Sequence, residues 1–110
     1  MDIQKLSPRL GISGQVELSE IPEIVRAGYR ILVCNRPAGE ERGQPGFAEI
    51  AKAARAAGLM ALFLPVAGPS DVARQAPDMA EAMRTASGPV LAYCRSGARS
   101  SMPCTAAIAP

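Results

Sequence analysis

The chain reads as an α/β domain: a mainly parallel sheet flanked by helices, with a nucleophile loop between its last strand and its last helix. Three observations predict this class. Short apolar runs at Ile31–Cys34, at residues 59–66 and at Val90–Tyr93 alternate with stretches of helical periodicity from residue 19 onward. Gly and Pro punctuate the boundaries between them. The length of 110 residues suits one compact core, so residues 1–110 are expected to form a single domain. In a sheet of this kind the active groups are expected at the carboxyl ends of the strands.

The elements follow in order. Residues 3–6 and 9–12 are short extended candidates either side of Ser7-Pro8, a small ribbon that Gly11 and Gly14 then break into a turn. Ser19 can cap a helix to about Ala27, with Pro22 in its first turn, Ile21, Ile24 and Val25 on one face, and Gly28 at its end. Ile31–Cys34 is a buried strand, and residues 35–45, rich in Gly, Pro and charge, form a loop at its carboxyl end. A helix is expected over 46–57 with Phe47, Ile50, Ala51 and Ala54 inward and Gly58 as its stop. Residues 59–66 read as a strand. Residues 67–76 read as a loop because Gly68-Pro69-Ser70 is strong turn punctuation, and Pro77 suits the first turn of a helix to about Ala86 with Met79, Ala82 and Met83 on its apolar face. Gly88-Pro89 ends that helix, Val90–Tyr93 is the last strand, and a terminal helix is expected from near Ser100.

Composition narrows the function. Lys plus Arg number 12 and Asp plus Glu 10, so a net charge of +2 provides no nucleic-acid footprint. Leu, Ile, Val and Phe together number 23, which with low net charge lies on the folded side of the boundary for disorder. No apolar run is long enough to span a bilayer and the first residues do not resemble a signal peptide, so no membrane partner and a cytoplasmic location are expected. Three cysteines, Cys34, Cys94 and Cys104, suggest free thiols in a reducing compartment. The chain has no His, which removes Ser-His-Asp and Cys-His catalytic sets and Cys2His2 zinc sites. The cysteines lack metal-ligand spacing and no glycine-rich dinucleotide fingerprint is present, so no metal and no cofactor are expected.

The segment that carries chemistry is Cys94-Arg95-Ser96-Gly97-Ala98-Arg99-Ser100, between the last strand and the expected last helix. Backbone N–H groups of a loop entering a helix N-terminus converge on an anion, and Gly97 permits the tight curvature this requires. The same field stabilises a Cys94 thiolate, the reactive form. Arg99 can hold two oxygens of a tetrahedral oxyanion through its planar fork. Arg95, Ser96, Gly97, Ala98 and Ser100 complete the expected substrate-binding loop. The plainer alternative is a buried structural cysteine before an ordinary Ser/Gly turn. The combination of a strand end, a glycine three residues on and an arginine five residues on favours the functional reading.

The stretch Leu91 to Ser100, together with Cys34-Asn-Arg-Pro-Ala-Gly-Glu-Glu41, resembles the phosphatase-like domain of beta-lactamase hydrolase-like proteins, a match running from about residue 2 to residue 101. The resemblance implies a protein tyrosine phosphatase-like fold, Cys94 as nucleophile and Arg99 as anion-binding arginine. It also implies partnership with a sulfide-oxidising or persulfide-processing enzyme. Two departures matter. Tyrosine phosphatases carry H-C-x5-R, whereas this chain has Tyr93 before the cysteine and C-x4-R, a spacing similar to that of rhodanese sulfurtransferases. The terminal segment also lacks the longer, aromatic-containing helix of the family. The shorter loop has less room for a phosphoryl group yet can still cradle one transferable sulfur.

The expectation is therefore a single phosphatase-like or rhodanese-like catalytic domain: a cysteine-thiolate sulfurtransferase carrying sulfane sulfur as a persulfide, with a small anionic or persulfide substrate. The alternative is a phosphomonoester hydrolase working through a cysteinyl phosphate, and a further alternative is a non-enzymatic thiol sensor or partner domain. A phosphatase also needs an acid for the leaving oxygen. Asp71 and Asp78 are the nearby candidates, Asp71 being preferred because it follows a strand end, although turn or cap roles are the plainer reading of both. Arg36 belongs either to the substrate rim or to ion pairs with Glu40 or Glu41. Cys34 reads as packing, and Cys104 as structural or incidental.

Overall fold

The computed structural model describes residues 1–96. Strands β1 (Gln4–Ser7) and β2 (Leu10–Ser13) form an antiparallel hairpin, and a 3-10 turn (Leu18–Glu20) leads into helix α1 (Ile21–Arg26). Then follow β3 (Ile31–Cys34), α2 (Phe47–Ala56), β4 (Met60–Phe63), α3 (Pro69–Thr85) and β5 (Val90–Tyr93). The strands make one sheet in the order β1-β2-β5-β3-β4, in which β2, β5, β3 and β4 are parallel. The last strand thus occupies the centre. The β2 to β3 connection skips a strand position and β5 fills it later, which creates the crossover point where ligands bind in open α/β sheets.

Strands β3 and β5 are buried along their whole length, which explains why they read as unbroken apolar runs. Their side chains alternate between two clusters. Leu32, Cys34, Leu91 and Tyr93 join Ile21, Ile24, Ile50, Ala51 and Ala54 of α1 and α2 on one face. Ile31, Val33, Val90 and Ala92 join Met79 and Ala82 of α3 on the other. Fully burying an aliphatic side chain such as Ile50 contributes about 1.5–3 kcal/mol, so both faces hold the sheet.

Several sequence expectations are corrected. The N-terminal ribbon is present as expected, and its β2 is fully buried and pairs along its length with β5. Gly11 does not break it, because glycine is required there for close approach. A Cβ at Gly11 would lie 2.4 Å from the Tyr29 hydroxyl and 2.9 Å from Ile3 Cγ2. The 3-10 turn is capped by the Glu20 carboxylate, which accepts the Glu17 backbone N–H at 2.8 Å, and Ser19, the expected cap of α1, lies within that turn. Gly28 ends the helix at φ +97°, as expected.

The strand expected over 59–66 shortens to β4, an edge strand with Met60 and Phe63 exposed. Pro65 has no N–H to continue the ladder. The N–H groups of Leu64 and Val66 nevertheless bond the carbonyls of Cys34 and Asn35, each at 2.9 Å, so the chain stays tied to β3. The loop expected over 67–76 is helix from Pro69 onward. Gly68-Pro69 starts α3 rather than marking a turn, with Pro69 in the first turn where its missing N–H costs nothing. Pro77 therefore sits inside α3, and the buried Gln75 anchors the preceding turn by donating to the Pro65 carbonyl at 3.2 Å. Among the described residues no helix is long and apolar enough to cross a membrane. The helix expected from Ser100 lies outside the described residues.

Candidate active site

The register aligns Ser13, Tyr93, Cys34 and Phe63 as the last residues of four parallel strands. Their loops therefore leave from one edge. Cys94 is the first residue beyond β5 and is completely buried. Its backbone N–H donates to the Ser13 carbonyl at 3.3 Å, and the Asn35 N–H donates to the Tyr93 carbonyl at 2.8 Å. Main-chain bonds to both neighbouring strands thus hold the nucleophile candidate in place.

Gly14 and Gln15 support the next residue. The Gln15 N–H donates to the Arg95 carbonyl at 3.3 Å, and a Cβ at Gly14 would lie 3.2 Å from that same oxygen and 3.7 Å from Ser96 Cα. Local sequence marks Gly14 as a turn breaker. Its role is to let one loop backbone lie against another. On the other flank Asn35, fully buried, donates its Nδ2 to the Leu64 carbonyl at 2.8 Å and so links the exits of β3 and β4.

Beneath Cys94 the ends of β3 and β5 are joined through side chains. The Cys34 thiol donates to the Arg36 carbonyl at 3.3 Å and hydrogen-bonds the buried Tyr93 hydroxyl. Burial pushes the Cys34 thiol up from its ordinary value. Hydrogen bonds with Tyr93 and the Arg36 backbone and the nearby Arg36 charge offset this in part, and charge on Cys94 would raise it further. Tyr93 is likewise pushed well up, chiefly by burial. Cys34 is accordingly a protonated packing residue at neutral pH, as the sequence suggested.

Arg36 forms the ion pairs that were one of its two expected roles. It is 3% exposed, and its Nε reaches Glu40 at 3.1 Å, Nη1 reaches the Gln15 side-chain carbonyl at 2.8 Å and Nη2 reaches Glu41 at 2.9 Å. Glu41 also lies 3.5 Å from Arg95 Nε. A cavity of about 310 Å³ opens here, lined in part by Gln15, Arg36, Glu41, Arg42 and Arg95. A second, of about 690 Å³, extends from Ser96 along the β1–β2 hairpin past Ser13, Gly14 and Gln15. The two cavities flank Ser96 and Arg95, the residues that follow Cys94.

Asp71 sits in the first turn of α3, not in a loop. One carboxylate oxygen accepts the Ala67 N–H at 2.8 Å and the other pairs with Arg74. It lies beyond the exit of β4, two strands from β5, on the same edge as Cys94. Asp78 lies in the middle of α3 and not at its N-terminus. Gly97, Ala98, Arg99, Ser100 and Cys104 lie outside the described residues. Sequence reasoning missed Gln15 and Asn35, and it named Glu41 only as a partner of Arg36, not of Arg95. The available signal was position, since each follows closely on a strand that ends at the active edge.

The geometry can be set beside known proteins. A model of the phosphatase-like domain of beta-lactamase hydrolase-like protein matches residues 2–109. A beta-lactamase hydrolase-like protein of Agrobacterium fabrum is 36% identical over 99 residues, which are 90% of this chain and 23% of that protein. The chain spans about a quarter of the length of the curated relatives it matches. A solved candidate phosphatase from Neisseria meningitidis superposes with a TM-score of 0.83 at 35% identity, covering 94% of this chain and 73% of that one. Tk-PTP in its active form shares the fold, with a TM-score of 0.66 at 17% identity over 86% of this chain and 61% of that one.

Proposed function

This chain belongs to the phosphatase-like domain family of beta-lactamase hydrolase-like proteins, and from that premise we propose that it hydrolyses phosphomonoesters through a cysteinyl-phosphate intermediate. The observation that carries the reading is the placement of Cys94 at the exit of the central parallel strand, held on both sides by main-chain bonds, in a fold close to that of the Neisseria candidate phosphatase. The spacing of Cys94 and Arg99 alone favours sulfur transfer. The phosphatase-like relatives favour phosphoryl transfer, and that reading takes precedence.

In the first step the Cys94 thiolate forms a bond to phosphorus while the ester P–O bond breaks, and the leaving oxygen takes a proton. Asp71 is the proposed acid, exchanging its pairing with Arg74 for the leaving oxygen. Arg99 and the loop N–H groups hold the remaining phosphoryl oxygens, with Arg95, Ser96, Gly97, Ala98 and Ser100 forming the binding loop. In the second step the Asp71 carboxylate takes a proton from the water that attacks phosphorus, the P–S bond breaks, phosphate leaves, and the thiolate and the protonated acid are both restored. Neither step changes an oxidation state. In the sulfur-transfer reading Cys94 instead takes one sulfur from a persulfide donor and passes it to a thiol acceptor.

Intact-protein mass spectrometry after parallel incubation with an activated aryl phosphate and a glutathione persulfide separates the readings. Aryl alcohol release with a trapped phosphoryl group, both abolished in Cys94→Ser, is expected. A single added sulfur atom without aryl alcohol release would instead establish sulfur transfer, and no adduct from either reagent would leave a sensor or partner domain. Asp71→Asn should slow an alkyl phosphate more than an aryl phosphate, because the better leaving group needs less protonation.

A further inference from the structure

We propose that Arg36 is a positioning residue for the nucleophile loop, closing a ring through Gln15, Arg95 and Glu41 that fixes the residue next to Cys94. The ring is continuous. Arg36 Nη1 donates to the Gln15 side chain at 2.8 Å, the Gln15 backbone N–H donates to the Arg95 carbonyl at 3.3 Å, Arg95 Nε lies 3.5 Å from Glu41, and Glu41 accepts from Arg36 Nη2 at 2.9 Å. Arg95 is therefore held twice, by its main chain from the β2 exit and by its guanidinium from the β3 exit. The single buried group common to both holds is Arg36.

Three features separate this role from substrate binding. Arg36 is 3% exposed and each of its three guanidinium nitrogens has a protein partner, whereas Arg95 is open to solvent. The charges also cancel locally, with Arg36 and Arg95 facing Glu40 and Glu41. The ring thus acts by placement and not by adding a field for an anion. Finally, the loop that carries the two glutamates is stitched to itself: the Glu40 N–H donates to the Gln44 side chain and Gln44 Nε2 to the Pro37 carbonyl, each at 3.0 Å. A braced loop transmits position. A lysine could not replace the arginine, because one ammonium cannot serve three acceptors arranged around a planar fork.

The proposal rests on the reading of Cys94 as the reacting thiol, and the test keeps the two apart. Arg36→Lys and Glu41→Gln are compared with the parent for the pH profile of iodoacetamide labelling, read on the Cys94-containing peptide, for kcat and KM on an aryl phosphate, and for thermal midpoint. Arg36→Lys is expected to displace the labelling profile and to lower kcat about tenfold, with KM within about twofold. Glu41→Gln should act in the same direction and more weakly, and the double variant should be no worse than Arg36→Lys, since both break one ring. A lower thermal midpoint with an unchanged labelling profile and kcat would overturn the proposal, as would additive effects in the double variant. Should Arg36→Lys fail to fold, Glu41→Gln, altered at a half-exposed side chain, decides by the same criteria. If the parent turns over no aryl phosphate, the labelling arm still tests the ring while the phosphatase reading falls.

Discussion

Replacing Gly14 with alanine should impair the reaction more than the fold. The new methyl carbon would lie 3.2 Å from the Arg95 carbonyl oxygen, at least 0.2 Å inside ordinary contact distance, and 3.7–3.8 Å from Ser96 main-chain atoms. The backbone at Gly14 is not in the left-handed region, so the conflict is one of space alone. Relief requires the Arg95 carbonyl to retreat. That oxygen already accepts the Gln15 N–H at 3.3 Å, at the long end of hydrogen bonding, and a further few tenths of an ångström would lose the bond. One such bond contributes about 0.5–1.5 kcal/mol, so the thermal midpoint should fall by about 2–12 °C. Catalysis is more sensitive. If a 1 Å misplacement costs about a hundredfold, a shift of a few tenths of an ångström beside Cys94 should lower kcat about threefold to tenfold. Steady-state kinetics on an aryl phosphate and a melting curve measure both effects. Gly46→Ala, where the added carbon meets nothing within 4 Å, is the matched control. A Gly14→Ala enzyme with unchanged kcat would refute the claim that the β2 exit sets the nucleophile loop.

Three further outcomes are expected. Gly11→Ala should destabilise the fold by about 1–3 kcal/mol in urea denaturation, because the methyl would collide with the buried Tyr29 hydroxyl at 2.4 Å. Ile50→Ala, at a position with no exposure on the α2 face, should cost about 2–5 kcal/mol yet leave the pH profile of Cys94 labelling unchanged in the folded population. Stability should decline in alkali: Cys34 and Tyr93 are held above their ordinary values of 9.0 and 10.0, so the stabilisation is complete below about pH 9 and is lost as the pH rises toward the folded-state values. Denaturation followed as the pH rises past the ordinary cysteine value should show this loss, and Cys34→Ala should flatten the slope.

How far the sequence could be read depended on whether local pattern and tertiary position agreed. β3 and β5 were legible to the residue, because strands buried on both faces carry unbroken apolar runs between polar loops. α2 was legible to within one residue at each end, from Ile50, Ala51 and Ala54 at helical spacing and Gly58 beyond its end. α3 was not, since Gly68-Pro69 and Pro77 both resemble boundaries when read locally. The first proved a true start, while the second is carried by contacts such as Gln75 with the Pro65 carbonyl. The same division applies to the candidate site. The position of Cys94 just beyond β5 was visible because the strand that precedes it is an unbroken apolar run. Gln15, the contact of Glu41 with Arg95 and the true role of Gly14 were invisible because the partners lie on loops more than 20 residues away along the chain, where no periodicity connects them.

This division also separates what holds Cys94 from what tunes it. Its position comes from main-chain bonds, Cys94 N–H to the Ser13 carbonyl and Asn35 N–H to the Tyr93 carbonyl, which any residue except proline at the donor could make. Strand substitutions should therefore reach the thiol mainly through global stability. Its surroundings come instead from side chains in loops, with Arg36, Gln15 and Glu41 converging on Arg95 and Gly14 limiting how near the opposing backbone can lie. Substitutions there change geometry at small cost to the core, because the apolar clusters on the two sheet faces contain none of these residues. Reactivity and stability should accordingly respond to different sets of mutations. A variant set that includes Ile50→Ala and Gly14→Ala should show melting temperature and kcat falling along separate axes and not together.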